Sequence, residues 1–377
     1  MKMFRRATIL LAAVAASCTQ SSPPATAAKK PAGERTEIVM VTSTQKRQWL
    51  ELAVQRFRVE RPDIKVMIKF AGPNEEIRDI VAGDDKPTIF SANDGALLVD
   101  LDAQWRARHG TDLYAKAGED APRTLSRTPF VFFGNENAIR PMASSDGSLS
   151  WSAIQAEIRR REAPRQRPLR FGHPLLGRGS VGLNLVLLVG LDLFDVPALT
   201  LDQAQDPRLS HRLDELEAAV TLLAPTTGAL AKRFSQGGPE GLDLIFTYEN
   251  TAIELAQSLG DRWGQPLRLY YPRRTVWSVH SAAVLRGDWV TPEQRAAASA
   301  WLSFLESPAM QIEAYRMGLR PANAALVDAN EGVFAQLKPY GVRPVLPPSA
   351  PKPVEEVTRA LASLAQRARA VASADGN

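Results

Sequence analysis

The sequence predicts an α/β protein in which mainly parallel sheets, flanked by helices, are divided between two lobes. Near the start, residues 38–41 form a short apolar run, apolar side chains recur at helical spacing from Leu50 to Phe57, and residues 64–70 alternate in polarity. Farther along, residues 242–247 have the composition of a strand covered on both faces, and helical spacing follows them directly. At 377 residues the chain is long enough for two hydrophobic cores.

Small polar residues follow each of the first three predicted strands. Ser43 and Thr44 follow the first strand. Asn74 follows the second, and Ser91 and Asn93 follow the third. The carboxyl ends of parallel strands meet at one edge of a sheet, and open α/β sheets bind their ligands there. An alternative is that these residues only cap the helices that follow. We expect all five to contact a polar ligand from the first lobe.

A second polar set, Tyr248, Glu249 and Asn250, lies where the strand over 242–247 ends and the next helix begins. In a parallel sheet this position faces the ligand crevice. The local alternative is that Asn250 or Glu249 caps the helix and that Tyr248 packs with its hydroxyl group in water. We expect Tyr248 and Glu249 to contact the ligand from the second lobe.

The segment Gly177-Arg178-Gly179-Ser180-Val181-Gly182 has the spacing G-x-G-x-x-G. Residues 141–175, before this motif, are expected to be irregular. We reject a dinucleotide site, because Pro174 interrupts any strand before the motif and the motif alone is weak. As a glycine-rich turn before an apolar helix over 181–190, the segment offers backbone N–H groups to an anion or a carbonyl group. Arg178 and Ser180 therefore join the predicted ligand-binding residues.

Two segments are predicted to carry the chain between the lobes. A strand over 128–133 leads away from the first lobe, and its first residue, Thr128, is also expected to contact the ligand. Strands over 267–271 and 276–285 bring the chain back. The predicted first lobe comprises residues 36–127 and 273–377, and the predicted second lobe comprises residues 128–272.

Three helices are expected to act as scaffold. A helix over 210–223, with Ser210 as its N-cap, presents apolar residues to the core of the second lobe. Helices over 291–318 and 352–373 are expected to pack on the first lobe after the chain has returned to it.

The N-terminus has the pattern of an export signal. Basic residues precede a short apolar run at 7–16, as in a secretory signal peptide, here residues 1–17. Ala15-Ala16-Ser17-Cys18 resembles the lipobox of bacterial lipoproteins, in which the cysteine becomes the acylated first residue. The alternative is an ordinary signal peptide with an incidental cysteine. Residues 18–35 lack an apolar pattern and predict a tether that spans roughly 20–25 Å as a random coil.

Composition argues against several other functions. The formal net charge is +5, and three of the basic residues lie in the predicted signal peptide, so no nucleic-acid partner is expected. The single cysteine excludes internal disulfides and a thiolate metal site. The four histidines lack metal-ligand spacing, and no nucleophile elbow, P-loop or HExxH motif occurs. Asp243 and Glu249 are too far apart along one strand for a glycosidase acid pair. We expect neither catalysis nor a cofactor.

The order of these units is similar to that of the type II periplasmic solute-binding proteins, distantly the molybdate and sulfate binders. The resemblance extends from Thr36 to Asn323 and is closest to a branch that is often fused to a von Willebrand factor A domain. The segments that carry it are Leu125 to Phe133, Ser150 to Ile154, Gly237 to Asn250, Tyr271 to Thr275, Asp288 to Ala297, and Gln311 with Gly318 to Ala322.

The resemblance implies a two-lobed clamp with two hinge crossings, which closes on a small solute and presents it to the permease of an ABC importer. We expect a lipid-anchored monomer in the bacterial periplasm or at the cell surface. Molybdate binders also use a tyrosine at the Tyr248 position, whereas Glu249 would repel an oxyanion unless Arg178 or a cation compensates. An oxyanion, a sugar, a polyol and an amine all stay open as ligands. The alternative function is a surface-anchored protein-interaction module with a vestigial cleft.

Overall fold

The computed structural model describes residues 35–176, 179–323, 325–328, 335–344, 346 and 349–374, and the account below concerns these residues. The predicted signal peptide, Cys18 and nearly all of the tether lie outside the described residues, as do Gly177 and Arg178.

The first lobe is built on a parallel arrangement of three strands. Strand β1 pairs in parallel with β2 on one side and with β3 on the other. Side chains alternate between the two faces of this sheet, so that Met40 packs with helices on one face and Val41 with helices on the other. The elements in chain order are β1 (Thr36–Thr42), α1 (Arg47–Glu60), β2 (Ile64–Phe70), α2 (Pro73–Ala82), β3 (Ile89–Ser91) and α3 (Gly95–His109).

A long strand, β4 (Arg123–Asn135), belongs to both lobes. Its first part pairs with β9 (Trp277–Val284) as far as Pro129, and from Phe130 onward it pairs with β7 (Leu244–Tyr248). Pro129 lacks the backbone N–H group that a strand residue donates to its neighbour. A proline is therefore tolerated at this point, where β4 changes its pairing partner. The predicted strand over 128–133 is thus the central part of a longer strand that joins the two lobes.

The second lobe repeats the parallel arrangement. Strand β5 pairs in parallel with β6 and with β7, while β8 pairs with β4. Helices cover both faces of this part of the sheet. Its further elements are α4 (Glu136–Ile139), α5 (Trp151–Arg161), β5 (Phe171–Pro174), α6 (Gly179–Phe194), α7 (Leu201–Gln205), α8 (Pro207–Ala218), β6 (Val220–Ala224), α9 (Thr227–Gly237), α10 (Glu249–Leu259) and β8 (Leu267–Tyr270).

The chain returns to the first lobe between β8 and β9. Together the strands form one sheet in the order β2-β1-β3-β9-β4-β7-β5-β6, to which β8 and β10 are added as partners of β4. The remaining elements are α11 (Pro292–Glu306), α12 (Pro308–Arg316), β10 (Arg320–Pro321), α13 (Ala325–Asp328) and α14 (Glu355–Ala374). This is a mixed α/β fold with a central sheet flanked by helices, as the sequence predicted.

The expectation that residues 141–175 are irregular is wrong. Helix α5 begins at Trp151, with the Ser150 hydroxyl group accepting from the Ala153 N–H at 3.0 Å, and Trp151 and Ile154 face the core. The arginine-rich composition of this segment conceals that apolar face. Pro174 does not prevent a strand either, because it is the last residue of β5, where a proline is tolerated.

The predicted helix over 210–223 is displaced. Helix α8 begins at Pro207, and its N-cap is Asp206, which accepts from the Arg208 N–H at 2.8 Å, so Ser210 lies inside the helix. Val220 and Leu223, expected on the helix, lie in β6, where they pair with β5. Tertiary pairing of a β-branched segment therefore overrides its apparent helical spacing.

The expectation that the C-terminal helix packs on the first lobe is also wrong. Helix α14 buries a stripe of side chains in the core of the second lobe, against α6, α7 and α8. The spacing of apolar residues identifies the buried face of a helix but not the surface that the face meets. The buried stripe consists of Val357, Leu361, Leu364, Ala365 and Ala368.

The close approach of β4 and β7 gives a stability prediction at Gly134. A Cβ atom at this position would overlap the carbonyl oxygen of Asp243 and lie 2.8 Å from Leu244 Cα, both of them backbone atoms. Gly134→Ala should therefore lower the free energy of unfolding by about 1–3 kcal/mol in urea titrations. Gly237→Ala is the control, because a Cβ atom added there would meet no heavy atom within 4 Å. Equal effects of the two substitutions would contradict the steric argument.

Candidate ligand-binding site

The two lobes face each other where β1, β3 and β7 end, and polar side chains connect them there. Asn93 Nδ2 of the first lobe donates to Tyr248 Oη of the second at 3.3 Å. Gln45 takes part twice: its side-chain Nε2 donates to Thr227 Oγ1 at 2.8 Å, and its backbone carbonyl oxygen accepts from Asn250 Nδ2 at 3.0 Å. The edge of the sheet predicted to bind a ligand is therefore the surface at which the lobes meet.

Ser43 lies at the end of β1 and is buried. It stands at the N-cap of the short turn Thr44–Lys46 but makes no side-chain capping hydrogen bond. Its Oγ atom has no hydrogen-bond partner among the described residues. Helix capping, the alternative function considered for this position, does not engage the hydroxyl group. Thr44 is exposed beside it at the edge of the cleft.

Ser91 and Asn93 lie at the end of β3, and both are buried. Capping of the next helix is done by Asp94, which accepts from the Ala96 N–H at 3.0 Å, and not by Asn93. Ser91 Oγ and Asn93 Oδ1 have no hydrogen-bond partner among the described residues. The backbone carbonyl group of Asn93 accepts from Ser278 Oγ, which fixes the position of this segment.

Asn74 is placed apart from the other predicted residues of the first lobe. It is exposed in the first turn of α2, after the edge strand β2. In the sheet, β2 and β3 are separated by β1, so Asn74 follows the strand farthest from the Asn93–Tyr248 contact. The structure does not bring Asn74 together with Asn93, and its contact with a ligand stays a prediction.

Tyr248 is fully buried at the end of β7. Its ring lies 4.8 Å from the ring of Phe130 and 6.3 Å, edge to face, from that of His280. Asn250 is held by Thr128, whose Oγ1 donates to Asn250 Oδ1 at 3.3 Å and accepts from its N–H at 3.4 Å. Thr128 is buried, and the contact visible in the structure is with Asn250.

Glu249 is fully buried and paired with a residue that sequence reasoning missed. Arg320 donates to both carboxylate oxygens, from Nε to Oε2 and from Nη2 to Oε1, each at 2.7 Å. The hydroxyl group of Tyr271 also donates to Oε1. Burial lowers the pKa of Arg320, but the charge of Glu249 outweighs this effect and raises it above its usual value. The pKa of Tyr271 is raised, mainly because its hydroxyl group is buried and also because the negative charge of Glu249 is close.

The positive charge of Arg320 neutralises Glu249, so that Glu249 need not repel an oxyanion. Its compensating charge comes from Arg320, which reaches it from the two-residue strand β10 beside β4. Arg178, the compensating residue considered from the sequence, lies outside the described residues. Ser180 belongs to the first turn of α6, but its side chain also lies outside the described part. Direct ligand contacts by Glu249, Arg178 and Ser180 therefore stay predictions.

Lys46 and His280 are two further buried residues that sequence reasoning missed. Lys46 is fully buried, and its Nζ atom donates to the Ala92 carbonyl oxygen at 3.4 Å. Burial lowers the pKa of Lys46 to about 7. His280 Nδ1 lies 3.3 Å from Ser126 Oγ. The pKa of His280 is well below its usual value, mainly because the ring is buried and also because Lys46 is close. Helical spacing with Trp49, Leu50 and Ala53 is the signal that places Lys46 on the buried face.

A pocket of about 390 Å³ opens at the edge of the cleft, between α1 of the first lobe and α9 and α10 of the second. This volume lies within the range of small-molecule sites. Its wall is polar and apolar in equal parts, and burial raises the pKa of Glu254, which accepts from Gln48. Residues that line it include Thr44, Gln45, Gln48, Thr227, Asn250 and Glu254.

Two features are absent from the described residues. No group of three or more His, Cys, Asp or Glu side chains in this part of the chain is arranged to hold a metal ion. No helix within the same residues has the length and the apolar character needed to cross a membrane.

Two α/β lobes that share a strand and meet across a polar cleft define a two-lobed solute-binding protein. The chain belongs to the bacterial extracellular solute-binding proteins, since a model of that family matches residues 38–320. This membership implies the periplasm or the cell surface as its location. No curated protein matches the sequence.

Solved structures with the same fold are binding proteins. The substrate-binding protein of an ABC transporter from Agrobacterium tumefaciens has a TM-score of 0.59 at 15% identity, covering 90% of this chain and 96% of that one. A ferric-binding protein from Campylobacter jejuni has a TM-score of 0.59 at 12% identity, covering 89% and 99%. The sulfate-binding protein of Mycobacterium tuberculosis has a TM-score of 0.52 at 16% identity, covering 85% and 93%.

Proposed function

We propose that this protein is a lipid-anchored solute-binding protein that closes its two lobes on a small polar ligand and delivers the ligand to an ABC importer. The observation that carries the proposal is the set of buried polar groups at the ends of β1 and β3, opposite Tyr248. Buried polar atoms in folded proteins are nearly always hydrogen-bonded. A ligand with matching groups would supply the partners that these atoms lack among the described residues.

The contacts between the lobes suit a reversible closure. Close to the partner change of β4, the buried ion pair of Arg320 with Glu249 holds the two lobes together. At the cleft itself, the lobes are joined by single side-chain hydrogen bonds such as those of Asn93 and Gln45. Each such bond contributes only about 0.5–1.5 kcal/mol, because water replaces it when it opens. The hinge is proposed at the partner change of β4 and at the connection from β8 to β9, residues 271–276, where few backbone bonds need to change.

We assign direct ligand contacts to Ser43, Ser91 and Asn93 from the first lobe and to Tyr248 from the second. Thr44 joins them at the edge of the cleft, where it lines the pocket. Thr128 is assigned an indirect part, since it orients Asn250. Glu249 is also indirect in this proposal, because its carboxylate group is engaged by Arg320 and Tyr271.

The proposed lipid anchor and the proposed delivery to an importer involve different parts of the protein. The anchor rests on the lipobox-like sequence that ends at Cys18, with residues 18–35 as the tether. Delivery to an importer is supported by structural neighbours that are themselves described as parts of ABC transporters. Cys18→Ser should release the protein from the membrane fraction into the soluble periplasm, as membrane fractionation and a blot would show.

Native mass spectrometry of the Cys18→Ser protein, purified from the periplasm, tests the proposal. A discrete extra mass that is lost on denaturation would support it and would give the molecular weight of the ligand. A bare protein that also gains no mass with anions, sugars, polyols and amino acids would contradict it and favour the interaction module.

Once a ligand is found, Tyr248→Phe should weaken binding about fivefold to tenfold in calorimetric titrations. The substitution removes one buried hydroxyl group, and such a hydrogen bond is worth about 1 kcal/mol. Tyr340→Phe is the matched control, because Tyr340 packs beside the other core cluster of the second lobe. Unchanged affinity in Tyr248→Phe would contradict the assignment of this residue to the site.

A further inference from the structure

Lys46 is a buried side chain without an internal counter-ion among the described residues, in the segment whose neighbouring residues Gln45 and Arg47 line the pocket at the cleft. It is fully buried between β1 and α1, in the turn that follows Ser43. Its side chain makes a long hydrogen bond to the Ala92 carbonyl oxygen. Among the described residues, no carboxylate group forms an ion pair with Nζ, and burial is the one cause of its lowered pKa.

Buried lysines are normally paired, because removing an ammonium group from water costs several kcal/mol. One neutral carbonyl contact offsets only a small part of that cost. Glu249, the buried carboxylate next to Tyr248 in the chain, is engaged by Arg320. The fold therefore keeps a positive group at the cleft without giving it a partner of its own among the described residues.

Further hydrogen-bonding groups surround the same point. The register of the sheet places Thr42 opposite Ser91, and Ser91 opposite Ala282 of β9, two residues beyond His280. Ser43, the residue after Thr42, therefore lies opposite Ala92, with its side chain on the other face of the strand pair from that of Ser91. Ser43 Oγ, Ser91 Oγ and His280 Nε2 have no partner among the described residues. Hydroxyl groups, and an imidazole nitrogen that carries its proton, can all donate to an anion.

We propose that Lys46 is the charge partner of the ligand, and that the solute is a small anion whose carboxylate or oxyanion group is bound by Lys46 and Ser91. This inference rests on the proposed function and narrows it to one class of ligand. An anion supplies the missing counter-charge and accepts from the donors at once, and such charge-assisted bonds are the stronger ones. A cationic amine would instead meet the ammonium group of Lys46.

The geometry also predicts how binding depends on pH. The titratable group that interacts electrostatically with Lys46 is His280 of β9, and Tyr248 of β7 packs in turn on His280. His280 stays neutral because its pKa is lowered, and Lys46 is the group that changes charge near neutral pH. Anion affinity should therefore fall by about tenfold per pH unit above pH 7 and level off below it.

The test is a thermal-shift panel on the Cys18→Ser protein at pH 7 and constant ionic strength. The anions are sulfate, phosphate, acetate, succinate and glutamate, and the other compounds are glucose, glycerol and putrescine. We expect an anion to give the largest shift. Calorimetry with that anion should show at least about 30-fold weaker binding in Lys46→Met, because one partner of a buried charge pair is removed. Lys86→Met, on an exposed loop of the same lobe, should stay within twofold of wild type.

The outcomes separate this inference from the proposed function. Binding of a neutral or cationic compound, or an anion affinity that Lys46→Met leaves unchanged, would overturn the inference and leave the solute-binding function intact. An anion affinity that does not vary between pH 7 and pH 9 would overturn it as well, without use of a variant. If no compound shifts the melting temperature and native mass spectrometry finds no bound mass, the proposed function fails, and the inference fails with it.

Discussion

Glu249→Ala should lower the free energy of unfolding by about 3–5 kcal/mol, the largest loss that we expect from a single substitution in this protein. The change leaves Arg320 buried, with 4% of its side chain exposed, and removes the carboxylate group that holds its guanidinium group in two hydrogen bonds. An unpaired buried charge costs far more than the net contribution of the intact pair. Urea titration monitored by circular dichroism measures the effect.

Two control variants test whether this loss of stability comes from the unpaired charge of Arg320. Glu37→Ala removes an exposed ion pair with Lys65 and should cost no more than about 1 kcal/mol. The double variant Glu249→Met/Arg320→Met should be less destabilised than Glu249→Ala, because no buried charge is left unpaired. A loss of less than about 1 kcal/mol in Glu249→Ala would show that the ion pair does not restrain the fold.

Lys46→Met should have the opposite effect and stabilise the protein by about 2–5 kcal/mol at pH 6. The folded-state pKa of Lys46, about 7, lies below its unfolded value of 10.5, so the unfolded chain binds more protons between these two values. The stability of the wild type therefore rises with pH across this window. Below pH 7 the full cost of burying the charge is present, and methionine, of similar length, removes it.

The gain from Lys46→Met should shrink by about half between pH 6 and pH 9, since the penalty in the wild type fades as Lys46 loses its proton. Chemical denaturation at both pH values measures this difference. Lys86→Met changes an exposed lysine and should alter stability by no more than about 0.5 kcal/mol at either pH. A destabilised Lys46→Met protein at pH 6 would show that the ammonium group is well accommodated in the folded protein. A stabilising substitution that removes ligand binding is typical of residues kept for function.

Sequence patterns located most of the strands, though not β5 and β6, and the edge of the sheet at which the lobes meet. Alternating polarity predicted the strand over 64–70, which is β2 with the same bounds. The position of Ser43, Ser91, Asn93 and Tyr248 at this edge was predictable because strand ends in a parallel sheet share one edge, a rule that needs only local pattern, whereas their contact with a ligand stays a prediction. The family resemblance, which extends over most of the chain, was also readable from ordered local segments.

Contacts between residues distant in the sequence were not predictable in the same way. Arg320 lies 71 residues from Glu249, and nothing in the local pattern of either residue indicates the other. Helix α14 has a clear apolar stripe, but the lobe on which it packs was decided by the apolar surface that α6, α7 and α8 offer to it.

The sequence by itself thus determined the fold class, most of the strands and the edge of the sheet that carries polar groups, because periodicity and strand ends are local properties. The tertiary structure alone decided which charges are buried and which of them are paired. Burial and pairing depend on the lobes' packing around β4, and that packing leaves Glu249 neutralised and Lys46 without an internal counter-ion among the described residues.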